Sequence, residues 1–148
     1  MGKCASVLSE YTEGGDCSVE SSLKELAGYR MERAKEMLSA AEGNLGIGQF
    51  KTSLNRSYYA IFHAMRAANI LKGFDSSKHS GVIAFFNKEY IKEGIMDKKL
   101  SVIIKKSSFL REKSDYDDFF IASKKDAVSQ LENAHIFLYK IEEYLNSL

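Results

Sequence analysis

The chain has 148 residues, 45% of them apolar and 28% charged, with no proline, no tryptophan and a net charge of +1. One domain of this length buries a core without disulfides or metals. Near-neutral charge excludes a global electrostatic footprint for nucleic acid or membrane.

Residues 1–18 are polar, with Lys3 against Glu10, Glu13 and Asp16, and are expected to form a flexible leader to a domain over 19–148. The only cysteines, Cys4 and Cys17, fall in this leader and make neither a disulfide framework nor a zinc site. "MGKCAS" fits the myristoylation pattern, which has meaning only in a eukaryotic cell and is taken as coincidence. No apolar run reaches membrane-spanning length and no signal peptide opens the chain. A cytoplasmic protein without a membrane partner is expected.

Ser22-Leu23-Lys24-Glu25 reads as a capping box that starts a helix, followed by apolar residues at three- and four-residue spacing from Leu23 to Ala41. "GNLGIG" (43–48) has no preceding strand and no following Lys-Ser/Thr, so it is a helix stop and not a phosphate loop. A second helix spans 50–72 and closes at Gly73. "FDSSKHSG" is a loop with cap residues Asp75, Ser76 and Ser77. A third helix covers 79–93, a fourth 97–113, and "SDYDDF" is a polar loop. Ser123 to Asp126 is a second capping box, opening a last helix with the stripe Val128, Leu131, His135, Leu138, Ile141 and Leu145. No strand-like alternation and no internal repeat stand out. The fold class is all-α, an antiparallel bundle of about five helices.

The second helix carries the chemistry. At about 100° per residue, Leu54, Tyr58, Ile61, Phe62 and Met65 share one side, while Arg56, Tyr59, Ala60, His63, Arg66, Ala67 and Ile70 share the other. A helix apolar nearly all round is buried all round, so Arg56 and His63 are expected to line a cleft or an interface. A guanidinium in a semi-apolar wall binds phosphate through its planar fork. A nearby cation keeps a histidine neutral and basic. Those are the parts metal-free RNA cleavage needs: a base for the 2′-hydroxyl and a cation for the phosphate. In the competing reading the pair is structural, the histidine bonded to a carbonyl and the arginine to a carboxylate.

"NRSYYAIFHAMRAANILKGFDSSKHSGVIAFFNKEYIKEG" followed by "FLREKSDYDDF" resembles the HEPN superfamily, in particular small stand-alone prokaryotic members, and the resemblance covers residues 22–146. It implies a two-fold homodimer of antiparallel bundles. Many such proteins are metal-independent ribonucleases with an Arg-x4–6-His motif; others pair as toxins with a minimal nucleotidyltransferase antitoxin, and some only bind. Arg56 and His63 match the motif and are the candidate catalytic pair, with no metal or other cofactor implied. In nucleolytic members, however, the motif commonly lies in a late helix. That position holds Arg111, followed by Asp115, Tyr116, Asp117 and Asp118 without a histidine. Arg111 becomes a second phosphate contact or the partner of Asp115 in a one-turn salt bridge. Asp115 is a weak substitute base, and Tyr116 matches the tyrosine that paired toxins can have adenylylated.

Tyr59 and Arg66, on the Arg56 side, are further candidates for binding a nucleotide or phosphate, Tyr59 by stacking a base. His79 at a helix start could reach a phosphate, against the plainer reading of an exposed turn histidine. His135 is expected as a core histidine bonded to a neighbour. The expected function is therefore an RNA- or nucleotide-directed toxin–antitoxin or defence component, the alternative a catalytically inactive module that docks a nucleotide or a nucleotidyltransferase.

Overall fold

The computed structural model describes residues 16–148, with side chains from residue 18 onward. Among the described residues there are five α-helices and no strand: α1 (Asp16–Gly46), α2 (Phe50–Ile70), α3 (His79–Phe86), α4 (Lys99–Tyr116) and α5 (Lys124–Asn146). The third is prolonged by a π turn, Asn87–Ile91. No helix among the described residues is long and apolar enough to cross a membrane.

The near-continuous apolarity of α2 makes it the central element, in contact with each of the other four helices. Leu54, Tyr58, Ile61 and Met65 are buried on one side, and Ala60, Ala64, Ala67 and Ala68 on others. Ala27, Ala34 and Ala41 of α1 are, like the alanines of α2, essentially inaccessible, and short side chains let two helices pack closely. The pair is antiparallel. Arg30 of α1 lies beside Arg66, Met37 beside Arg56, and Ser53 donates from Oγ to the Ala41 carbonyl at 2.8 Å.

Helix ends follow local chemistry, with two corrections, at Ser22 and at the expected cap residues Asp75, Ser76 and Ser77. The N-cap of α3 is Lys78, with no side-chain cap bond, and Asp75 is drawn away to Arg30 and Arg66. The turn after α1 places Gly48 at φ 78°. Gly73 and Gly94 adopt φ 76° and 77° and donate their amides to the carbonyls of Ile70 and Ile91, the left-handed termination that suits glycine. Ser123 caps α5, its hydroxyl accepting from the Asp126 amide at 3.0 Å. Ser22 caps nothing: α1 is already helical from Asp16, so the capping-box pattern sits inside a helix. Residues 1–15, with Cys4 and the "MGKCAS" pattern, lie outside the described residues, as does the side chain of Cys17.

The buried face of α5 is Ala127, Gln130, Ala134, Phe137, Leu138 and Ile141. Only Leu138 and Ile141 of the expected stripe belong to it. His135 is a correction: it is exposed, with Nε2 3.4 Å from Glu42. A buried glutamine and two alanines carry little hydrophobic signal, so apolar spacing alone selects the wrong edge of the helix. Phe137 packs near Phe86, centroids 5.5 Å apart, and Tyr90 stacks on Phe86 at 5.3 Å. The Tyr90 hydroxyl donates to the Ala68 carbonyl.

Candidate functional site

The α1–α2 seam holds a line of cations. On α1, Arg30, Arg33 and Met37 recur at helical spacing, and they face Arg66, His63 and Arg56 of α2 in antiparallel order. Arg30 and Arg66 converge on one carboxylate from the loop after α2. Nη2 of Arg30 is 3.1 Å from Asp75 Oδ2, and Nη2 of Arg66 is 2.9 Å from Oδ1. Burial pushes the Asp75 carboxyl up, but the hydrogen bonds from Arg66 and Arg30 outweigh it and hold the group below its ordinary value.

Further along the seam the arginines are not neutralised. Among the described residues neither Arg33 nor Arg56 has a carboxylate within ion-pair distance. Arg56 donates to Asn55 Oδ1 at 2.8 Å and to Met37 Sδ at 3.4 Å, and its guanidinium lies 5.7 Å from the Tyr59 ring centre. Among the described residues, then, Arg56 is not half of a carboxylate pair.

His63 lies in the midst of these charges. Burial first, then the guanidiniums of Arg33, Arg66, Arg30 and Arg56, push its imidazole down to about 4. Four arginines act on it, and among the described residues the one carboxylate paired with any of them is Asp75. The result is a neutral base facing surplus positive charge. His63 and Arg56 are two helical turns apart, about 10 Å along the axis, and Tyr59 stands between them, its ring 6.3 Å from that of His63.

On the other flank of Tyr59 the tertiary fold adds His79 and Arg111. His79 is half-buried, not an exposed turn residue. Its Nδ1 is 2.8 Å from the Tyr58 hydroxyl, and its ring stacks on Phe62 at 4.3 Å and meets Tyr59 edge-on at 5.7 Å. Burial, with Arg111 second, lowers its pKa. Arg111 of α4 lies 4.9 Å over the Tyr58 ring and forms the one-turn pair with Asp115 at 3.3 Å. Tyr58 itself is buried, and burial pushes its hydroxyl up to about 12.

Arg56, His63, His79 and Arg111 therefore group around Tyr58 and Tyr59. Arg66 points to the Asp75 clasp, and Tyr116 is well exposed at the end of α4, near Phe109 and Lys113. Sequence reasoning missed Arg30 and Arg33. Their i, i+3 spacing on a helix antiparallel to α2 was the available signal, hidden because charged residues on a long helix read as solvated surface.

An all-α bundle with a histidine set in an arginine-lined helix seam is the class that fold and site define. The HEPN domain profile matches residues 27–144, so the chain belongs to the HEPN family. A Methanocaldococcus jannaschii protein named "Putative toxin MJ0142" is 33% identical over 117 residues, 79% of this chain and 80% of its own. A Thermotoga maritima UPF0332 protein is 32% identical over 120 residues, 81% of this chain and 91% of its own. The crystal structure of TT1696 from Thermus thermophilus matches with a TM-score of 0.67 at 20% identity, covering 79% of this chain and 96% of that one. That likeness is one of fold.

Proposed function

We propose that this HEPN protein is an RNA-directed component of a toxin–antitoxin or defence pair and cleaves RNA without a metal. The observation that carries the reading is the neutral His63 set among four arginines, two of which, Arg33 and Arg56, have no carboxylate partner among the described residues. Arg56 and Arg33 hold the phosphate by charge-assisted hydrogen bonds. His63 takes the proton from the 2′-hydroxyl, whose oxygen attacks phosphorus. The 5′-oxygen leaves with a proton from solvent, giving a 2′,3′-cyclic phosphate and a 5′-hydroxyl. Tyr59 offers its ring to a base, and Arg111 with His79 meets the adjoining nucleotide. An anion bound beside His63 raises the pKa of its imidazole towards the range where a general base works best. The toxin name of the archaeal relative supports the setting. A homodimer and a minimal nucleotidyltransferase antitoxin are parts of the same proposal.

One observation favours a second reading, a module that binds nucleotide or partner without cutting. A histidine held at about 4 is a poor base at neutral pH unless a ligand shifts it. Incubation of a mixed RNA pool in excess EDTA with wild type and His63→Ala decides between them. The nuclease requires cyclic-phosphate ends from wild type and a loss of about 100-fold or more in the variant. No cutting by either, with RNA retained by wild type and released on Arg56→Ala, establishes the binder instead.

A further inference from the structure

Asp75 is a loop residue that accepts from two helices at once. Its two oxygens are divided between Arg30 of α1 and Arg66 of α2, at 3.1 and 2.9 Å, and its side chain is 9% exposed. A charge-assisted bond at each oxygen is the strong kind of side-chain contact. Four residues on, the same loop delivers His79 to the Tyr58 hydroxyl. Ser76 stiffens the link by accepting from the Lys78 amide at 3.1 Å, and Phe74 stacks on Phe85 at 4.1 Å. The carboxylate thus sits where the arginine seam and the His79 loop meet.

We infer that Asp75 is a positioning residue of the site. By binding Arg30 and Arg66 together it fixes the loop that presents His79 to Tyr58. It also withholds those two guanidiniums from the anion that Arg33 and Arg56 receive. The inference rests on the reading of the seam as an anion site. The groups facing His63 are Arg30 and Arg33 from α1 and Arg56 and Arg66 from α2. Those facing His79 are Tyr58 and Tyr59 from α2 and Arg111 from α4.

Asp75→Asn and Asp75→Glu separate the two roles, with inorganic phosphate as the probe and histidine resonances followed by NMR. In Asp75→Asn two guanidiniums lose their counter-charge. Phosphate affinity is expected to rise about five-fold, the size of an added exposed charge contact, and the His79 midpoint to climb back towards its ordinary value as the loosened loop lets water reach the ring and draws it away from Arg111. Asp75→Glu keeps the charge on a longer arm, so phosphate affinity stays at the wild-type level while His79 still moves. If RNA is cut, Asp75→Asn lowers KM and kcat together, whereas a general loss of packing raises KM. Should Asp75→Asn fail to fold, Asp75→Glu carries the test alone. Unchanged His79 titration in the folded variants overturns the inference. So does weaker phosphate binding with both His63 and His79 returning to ordinary values, because that is the signature of a merely structural carboxylate. A wild type that binds no phosphate removes the underlying anion site, a distinct failure.

Discussion

His63 is neutral because two effects act in the same direction on its ring: partial burial removes water from the charged form, and four guanidiniums repel it. In the unfolded chain the group titrates near its ordinary 6.5, so between that value and about 4 the unfolded state binds more protons. Stability is therefore lost as pH falls through this window. His63→Gln does not titrate, and relative to wild type it should gain about 1–2 kcal/mol on going from about pH 7 to about pH 4.5, after discounting for solvent screening. Urea unfolding of both proteins at the two pH values checks this, and a constant difference between them would refute the assignment. Tyr58→Phe tests the other flank. It keeps the buried ring but removes the hydroxyl that meets His79 Nδ1, and should cost about 1 kcal/mol while moving the His79 midpoint.

Among the elements, α1 and α5 carry similar sequence patterns with different outcomes. Ser123 is a true N-cap, its hydroxyl satisfying the Asp126 amide. Ser22 lies six residues inside α1, exposed, in a turn whose amides already have carbonyl partners. Ser123→Ala should thus cost about 1 kcal/mol and Ser22→Ala less than about 0.5 kcal/mol, measured by urea unfolding side by side. Equal losses would mean that α1 starts at Ser22 in solution. The π turn after α3 is the one departure from regular helix among these elements. It ends on Ile91, and Gly94 then turns the chain at φ 77° towards α4.

For the whole molecule, the central position of α2 couples site and fold. The helix that carries Arg56, Tyr59 and His63 also carries the core residues Ile61, Met65 and Ile70. An anion that binds only the native seam must raise the stability of the whole domain by mass action. Adding phosphate should therefore raise Tm of the wild type and leave that of an Arg33→Ala/Arg56→Ala double variant unmoved, as read by differential scanning fluorimetry. A shift of equal size in both would place the anion elsewhere. Phe137→Ala, distant in role from the site, should cost about 3–5 kcal/mol because a fully buried ring packed on Phe86 is lost.

Helix number, order and approximate limits were legible in the residues themselves. Apolar periodicity, glycine stops and the Ser123 cap are local properties, and proline-free segments leave them undisturbed. The same holds for the nearly all-round burial of α2 and for the pairing of Arg111 with Asp115, one turn away on its own helix. What only the tertiary structure decided is which distant side chains meet. Arg30 and Arg33 reach His63 because α1 packs antiparallel on α2, and His79 reaches Tyr58 because Asp75 pins its loop to both helices. The rotation of α5 was likewise settled by packing: Gln130 and two alanines face inward while His135 faces out, since shape governs a contact where hydrophobicity is weak. Sequence spacing carries the geometry of one helix; the distances between helices exist only once their faces have packed.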